Sequence, residues 1–447
     1  MESIRIADNS SKTLNLPEPV ISDLQVIANA TLGNIKEKYP NLLIFPQSFG
    51  EYGDNLGSQY ICSLNDKTIR TGNLMGFVGC NFTELSICSR FSNNNGNDFF
   101  LHYLLQKVLC QYVFDWKHSY NEITIFDFLI YLFPYYLNKA LSQGLFREYR
   151  KFYYNDSKVK GSIDVNKHIQ LNVPFAGKIA YSTREYSYDN RITQLIRHTI
   201  EYIKTLSFGE NLLLGQETRE NIRIIIDNTP SYSNHDLHKV FRENLRETQH
   251  PYYTEYTPLQ KICLQILRHE GLKYDDDSHN QVYGILFDGA WLWEEYIAGV
   301  LQDNFAHYTS ENSNFKLLEC GGKEKQKIIP DYISKDNKIV ADAKYIPLSK
   351  NYSYGEERAA AIYYKTIMYM LRFSSKHGIL IYPTQSIAEP KKYKIIDTDN
   401  YLTEFPFIIP IEQTGSYNDY CVKIIKEEDR FNMLISNAKE ILPLNPS

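Results

Sequence analysis

Two short stretches carry residues that could do chemistry together. They are Ile328-Ile329-Pro330-Asp331-Tyr332-Ile333 and Ile339-Val340-Ala341-Asp342-Ala343-Lys344-Tyr345. Each is an apolar run with an acid at its end or centre, and the polar Ser334-Lys335-Asp336-Asn337-Lys338 between them reads as a hairpin turn. Residues two apart on a strand share a face, so Asp342 and Lys344 project together. Pairing of the two strands would bring Asp331 beside them. Two carboxylates and an amine at one sheet edge can hold Mg2+ and orient water against a phosphate.

Each residue type suits such a role. Mg2+ takes oxygen ligands and usually keeps several waters. Asp331 and Asp342 would supply carboxylate oxygens, and the Ala343 carbonyl a further one. Lys344 has no acceptor for a metal. Its expected part is to orient or deprotonate the attacking water and to offset charge building on the phosphate. The plainer reading is a surface hairpin with a solvated Asp–Lys pair, worth ~0–1 kcal/mol. The apolar, β-branched surroundings argue against it, because an unpaired charge there is costly.

The elements that must position these residues can be read around them. A polar, acidic break, Leu272 to Asn280, precedes a helix from Leu292 to Phe305, the hairpin, a helix from Glu356 to Phe373 and a strand from Gly378 to Tyr382. That series suits a compact α/β domain with a short mixed sheet. Residues 116–275 are expected to be mainly helical. Helices are read at Thr124 to Ser142 (stopped by Gly144), Asn190 to Leu206 and Thr257 to His269, with a β insertion between Val159 and Tyr181. Residues 1–115 look mixed, with strands at Leu42 to Phe45, Met75 to Gly79 and Leu85 to Phe91, and a helix from Phe99 to Val113. The expected fold is therefore α+β and multidomain, divided as 1–115, 116–275 and 276–447.

At 447 residues the chain can hold two or three domains with proper cores. Its net charge of −5 gives no global attraction to nucleic acid, so any DNA contact must come from a local basic surface or a basic partner. Seven cysteines, at 62, 80, 88, 110, 263, 320 and 421, form no C-x-x-C pair. Neither a zinc ribbon nor a disulfide framework is suggested, and a reducing cytoplasm is the natural expectation. Met1 to Arg5 opens no apolar signal sequence, and no run reaches 18 apolar residues, so no membrane span is expected. The Gly-x4-Gly-Lys-Ser/Thr pattern of a nucleotide-hydrolysing motor is missing from the sequence.

The residues after 275 resemble the PD-(D/E)xK nuclease superfamily, which orders an acid on a leading helix, a Pro-Asp strand, an Asp-x-Lys strand and a helix with polar residues. In Leu292-Trp293-Glu294-Glu295-Tyr296 the resemblance points to Glu294 as the leading acid. Many relatives carry Gln-x-x-x-Tyr on the following helix, where this chain has Lys365-Thr366-Ile367-Met368-Tyr369. Arg358, Lys365 and Arg372 fall seven apart on that helix and share a face, either simply solvated or in contact with phosphate.

Further motifs sharpen the resemblance. Gly144-Leu145-Phe146-Arg147-Glu148-Tyr149, Lys160-Gly161-Ser162-Ile163-Asp164-Val165, Ala180-Tyr181-Ser182-Thr183-Arg184-Glu185-Tyr186-Ser187-Tyr188-Asp189-Asn190 and Asn190-Arg191-Ile192-Thr193-Gln194-Leu195-Ile196-Arg197-His198 look like the McrC family. The likeness spans roughly residues 70 to 385. It implies the nuclease subunit of an McrBC-type restriction system, which defends against phage. It also implies double-stranded DNA as substrate, Mg2+ as cofactor with Mn2+ able to substitute, and a McrB-like AAA+ GTPase ring as partner. In such systems the N-terminal part of the subunit engages the ring and stimulates hydrolysis. The alternatives are a non-catalytic scaffold that activates the ring, and a nuclease that works alone. Asp164 is expected to cap a helix or pair with a basic neighbour. His168 and His198 read as surface or hydrogen-bonding histidines, since neither has a partner at metal-ligand spacing.

Overall fold

The computed structural model describes residues 2–14, 16–39, 42–46, 56–81, 83–92, 98–109, 125–206, 209–270, 282–309, 312–345, 355–411 and 417–440. Among these the chain is α+β, with several separate sheets. It divides into two compact units: Met1–Ile125 with Ser278–Ser447, and Phe126–Asp277. The borders expected near 115 and 275 lie outside the described residues, as does the end of the helix expected to reach Val113. Among the described residues no helix is long and apolar enough to cross a membrane.

In the first unit, one sheet of five strands runs in the order Glu2–Ala7, Thr83–Cys88, Leu74–Cys80, Val282–Asp288, Leu43–Phe45. Helices Glu18–Ile27 and Leu32–Lys38 bury Val20, Leu24, Ile27, Leu32 and Ile35 in the same apolar cluster as its strands. Val282–Asp288 differs from the sequence reading, which set residues after 275 apart. It is a strand of this N-terminal sheet, antiparallel to Leu74–Cys80 and parallel to Leu43–Phe45. All seven of its residues are buried. A strand without polar alternation must have neighbours on both sides, and here they lie some two hundred residues earlier in the chain.

The same unit holds a six-stranded sheet, ordered Phe305–His307, Tyr332–Ser334, Ile339–Ala343, His377–Thr384, Tyr401–Ile408, Lys391–Lys394. Ile339–Ala343 runs antiparallel to Tyr332–Ser334 and parallel to His377–Thr384, the parallel link being made through helix Gly355–Phe373. Helix Gly289–Leu301 packs against this sheet and ends earlier than the expected Phe305. Asp303 and Asn304 favour turns over helix, and the Asn304 N–H donates to the Leu301 carbonyl at 2.9 Å. Phe305 is thereby released to begin a strand that pairs with Tyr332–Ser334.

The second unit is mainly helical. Its principal helices are Ile125–Ser142, Arg191–Thr205, Gln216–Asp227 and Tyr256–Glu270, and its sheet joins Glu148–Asp156, Ile179–Ser187 and Ser162–Ile163. Asn190 caps Arg191–Thr205 in a capping box with Thr193. Asp164 caps the short helix Val165–Leu171 by accepting from the Lys167 N–H at 3.1 Å. His168 Nδ1 lies within hydrogen-bond distance of Asn172 and of the Ala180 N–H. His198 departs from the surface reading: it is buried against the Tyr232 ring, and burial lowers its pKa.

Glycine is required where strands of the first sheet close on one another. Gly284 has φ +139°, and a Cβ there would stand 2.2 Å from the Phe77 carbonyl oxygen. Gly144, at φ +91°, has open space around it. Gly284→Ala is therefore expected to destabilise by about 3 kcal/mol or more, against about 1 kcal/mol for Gly144→Ala, read as denaturation midpoints. Equal shifts for the two variants would show that the close approach at Gly284 does not exist.

Candidate active site

The hairpin forms, and its register decides the site. Tyr332 pairs with Ala341 and Ile333 with Val340. One step further along the same register, Asp331 stands opposite Asp342. Val340 and Ile333 pack with Tyr369 and Met370, so this face of the sheet looks onto helix Gly355–Phe373. Asp342 follows on that face, and Lys344 after it.

Three oxygens surround one ammonium. Lys344 Nζ lies 2.6 Å from Asp342 Oδ2 and 3.9 Å from Asp331 Oδ2. It also donates to the Ala343 carbonyl at 3.4 Å. Asp331 is held in place by the Ala343 N–H, which donates to its Oδ2 at 2.8 Å. The Lys344 N–H donates to the Ile381 carbonyl at 2.7 Å, extending the parallel ladder past the last strand residue. Asp342 is completely buried, and neither of its oxygens has a hydrogen-bond donor in good geometry.

Burial and crowding split the two acids. Burial, then the charges of Asp342 and Glu294, push the Asp331 carboxyl well above the usual range, against the pull of Lys344 and Lys365. Burial acts the same way on Asp342, but Lys344 and Lys365 outweigh it and hold that carboxyl below its ordinary value. Burial works against the charge of Lys344, yet Asp342 and then Asp331 keep it protonated above the usual lysine range. Like charges this close raise the cost of ionising both acids, and the proton is held more tightly on Asp331 than on Asp342.

Glu294, on Gly289–Leu301, reaches the same neighbourhood, since its charge acts on Asp331. Its Oε1 lies 3.2 Å from His307 Nε2. Burial would lower the His307 pKa, but the Glu294 hydrogen bond and the charges of Glu295 and Glu294 raise it overall. His307 escapes the sequence reading because the helical pattern reads on to Phe305. The alternation Phe305-Ala306-His307 is too short a signal for a strand.

Lys365 is exposed on the helix above, and its charge acts on both aspartates. Four residues on, Tyr369 is buried and its hydroxyl donates to the Ile329 carbonyl at 2.7 Å, fixing the approach to Pro330-Asp331. Arg372 turns elsewhere, its Nε donating to the Lys316 carbonyl at 2.7 Å. The side chain of Arg358 lies outside the described residues.

Among the described residues no group of three or more His, Cys, Asp or Glu is placed to hold a metal ion on its own. The oxygens gathered around Lys344 are two carboxylates and a carbonyl. That set suits a hard ion that keeps most of its waters, not a fully caged one. The fully buried Asp342 carboxylate, already facing a cation in the Lys344 ammonium, fits such an ion.

A family model described as McrBC 5-methylcytosine restriction system component matches residues 69–383. No curated protein matches the chain. The solved structures that resemble it include two from Thermococcus gammatolerans. One, described as a refined half-complex from a tetradecameric assembly of McrB AAA+ hexamers with bound McrC, is 13% identical, covering 95% of this chain and 99% of that one with a TM-score of 0.48. The other, a cryo-EM structure of the McrBC complex, is 12% identical, covering 67% and 87% with a TM-score of 0.30. At that level neither likeness bears on this chain's chemistry.

The raised Asp331 pKa has a signed consequence for stability. An unfolded aspartate titrates near about 3.9. A folded pKa above that value makes the carboxyl a burden that grows as pH rises through the unfolded value and is full above the folded one. Asp331→Asn removes the burden and keeps an oxygen for the Ala343 N–H. In chelator, the variant is expected to melt about 2–5 °C above the wild type near neutral pH, with the difference vanishing towards about pH 4. A variant less stable at neutral pH would contradict the crowding of the two acids.

Proposed function

The chain belongs to the McrBC restriction-system component family, and from that premise we propose that it is the subunit that hydrolyses DNA phosphodiesters with Mg2+. The carrying observation is the register that sets Asp331 against Asp342, with the Lys344 ammonium alongside both. The arrangement supports a PD-(D/E)xK reading of the domain: acid on the leading helix, Pro-Asp strand, Asp-x-Lys strand, helix above.

Asp331, Asp342 and the Ala343 carbonyl would hold the ion. Mn2+, with similar oxygen preferences, would replace Mg2+. Such an ion polarises a phosphodiester oxygen and makes water a better nucleophile. The residues of the chain do the rest. Lys344 is held as an ammonium by its two aspartates, which favours orienting water and offsetting charge on the phosphate over removing a proton. Glu294, kept in line by His307, stands beside Asp331 as a further acid. Lys365 places a positive charge over the same face and is suited to a phosphate next to the scissile one. Tyr369 locks the backbone before Asp331, so the carboxylate is placed before substrate arrives.

The partner in this reading is a McrB-like AAA+ GTPase ring, and the substrate is double-stranded DNA. Family membership supports both, together with the missing Walker A pattern, which leaves nucleotide-driven movement to another subunit. A cytoplasmic setting suits restriction and the scattered free cysteines.

Asp342→Asn should reduce DNA cleavage at least about a hundredfold while the ring partner's GTP hydrolysis is still stimulated. Mg2+ should raise the melting midpoint of the wild type and leave that of Asp342→Asn unmoved. Undiminished cleavage by the variant would remove this site from the reaction. Retained GTPase stimulation with no cleavage by the wild type would favour the scaffold alternative.

A further inference from the structure

A hairpin next to the site has its charges sorted by face. Lys316–Cys320 pairs antiparallel with Lys323–Lys327: Lys316 opposite Lys327, Leu318 opposite Lys325, Glu319 opposite Glu324 and Cys320 opposite Lys323. Gly321 and Gly322, at φ +60° and +75°, make the two-residue turn that needs positive φ at both positions. Paired residues share a face, and residues two apart on a strand do too. One face therefore carries Lys316, Lys323, Lys325 and Lys327 with Leu318 and Cys320. The other carries Glu319 and Glu324.

Such a strip is costly. Like charges directly opposite destabilise a strand pair, and here Lys316 meets Lys327 while the acids of the hairpin occupy its other face. The strand Lys323–Lys327 is exposed along its whole length, as is Leu318. In a chain of net charge −5 this is a local concentration of one sign. Lys323 and Lys325, exposed side by side on that face, offer their charge to an anion.

The root of the hairpin is rigid. Phe315 and Ile328, on either side of it, pack on the cluster of Ile333, Val340, Tyr369 and Met370 beneath the catalytic face. The Ile328 N–H donates to the Phe315 carbonyl at 2.9 Å, and Arg372 holds the Lys316 carbonyl. Ile328-Ile329-Pro330 then leads directly into Asp331. Lys365 and Arg372 lie on one helix face, about 10 Å apart along the axis. Lysines on the hairpin recur about every 7 Å. Positive groups thus continue outward from Lys344 through Lys365 and Arg372 to the hairpin.

We propose that the Lys316–Lys327 hairpin is an arm that grips the phosphate backbone of duplex DNA beside the cleavage point, through its lysine face and without reading sequence. The choice of DNA as the polyanion rests on the nuclease reading above; the charged arm itself does not.

The test uses the full chain carrying Asp342→Asn, so that duplex is bound and not cut. Binding of a labelled duplex is measured by fluorescence anisotropy across a salt series, with and without K323E/K325E. The arm predicts that the slope of log K against log salt falls by about two, at about 0.9 for each phosphate no longer neutralised. It also predicts a loss of affinity of roughly ten- to a hundredfold near 0.1 M salt. K323Q/K325Q should give a smaller loss at an unchanged melting midpoint. Unchanged slope and affinity overturn the arm, as does a parent chain with no salt-dependent duplex binding. Weakened capture of the ring partner with DNA binding intact overturns it too, by giving the strip to a protein. If the charge reversal weakens DNA binding yet the wild type never cleaves with ring and Mg2+, the arm stands and the nuclease reading fails.

Discussion

Everything near the site follows from placing two aspartates side by side inside a sheet. Asp342 is fully buried and Asp331 nearly so. Left alone, the pair would be expelled or neutralised, because burying a charge without a partner costs several kcal/mol. The Lys344 ammonium counters this for Asp342, whose carboxyl stays below its ordinary value, while the Asp331 carboxyl is still pushed well above it. The ammonium lies against both carboxylates and the Ala343 carbonyl, the same oxygens proposed above to hold a divalent ion. The metal-free chain thus carries its own counter-ion, delivered by the strand that also delivers the acid.

Such a cluster must be held rigidly, and the surrounding fold does this with backbone contacts from several elements. Trp293 Nε1 donates to the Ile381 carbonyl from the leading helix, and the Tyr332 hydroxyl donates to the Glu294 carbonyl. The N-terminal sheet reaches the same place. Arg90 pairs with buried Asp8 at 2.9 Å, donates to the Tyr345 carbonyl and lies over the Tyr345 ring at 4.1 Å. Tyr345 is the residue after Lys344. The Gly289 N–H donates to the Asn73 carbonyl at 2.8 Å, and a Cβ on Gly289 would stand 2.8 Å from both that oxygen and Tyr345. The N-terminal sheet is therefore part of the frame of strand Ile339–Ala343, and Val282–Asp288 joins the two by running from that sheet into helix Gly289–Leu301.

Local chemistry was legible where it decided the outcome. The apolar runs around Asp331 and Asp342 form the expected antiparallel pair, and Asn190, Asp164 and Gly144 begin or end helices as their residue types dictate. What could not be read depends on distant partners. The buried run Val282–Asp288 has no alternation to reveal its face, and its neighbours are far away in sequence. His307 lies on a three-residue strand whose existence depends on Tyr332–Ser334 alongside it. The lysine hairpin is hidden in a linear count because Glu319 and Glu324 are interspersed among its lysines and partly cancel them. Only pairing reveals that Lys316, Lys323, Lys325 and Lys327 share one side and the glutamates the other.

The other buried acids of this unit show what an acid does when structure is its only role. Asp8 accepts from Asn9 and Arg90, and burial still raises its pKa. Asp98 accepts from the N–H groups of Ser89 and Leu101, Asp288 from that of Ala290, and Glu404 from the Tyr363 hydroxyl. Each has a donor aligned on it, as buried polar groups generally do. Asp342 is buried more completely than any of them, and what faces it is a second acid and an ammonium 2.6 Å from its Oδ2. Folding alone gives no reason to retain such a residue, since a buried ion pair is often no better than an apolar pair of the same size. A second acid set beside a fully buried one adds a cost that its neighbours avoid, and the chemistry proposed for the pair is what would outweigh it.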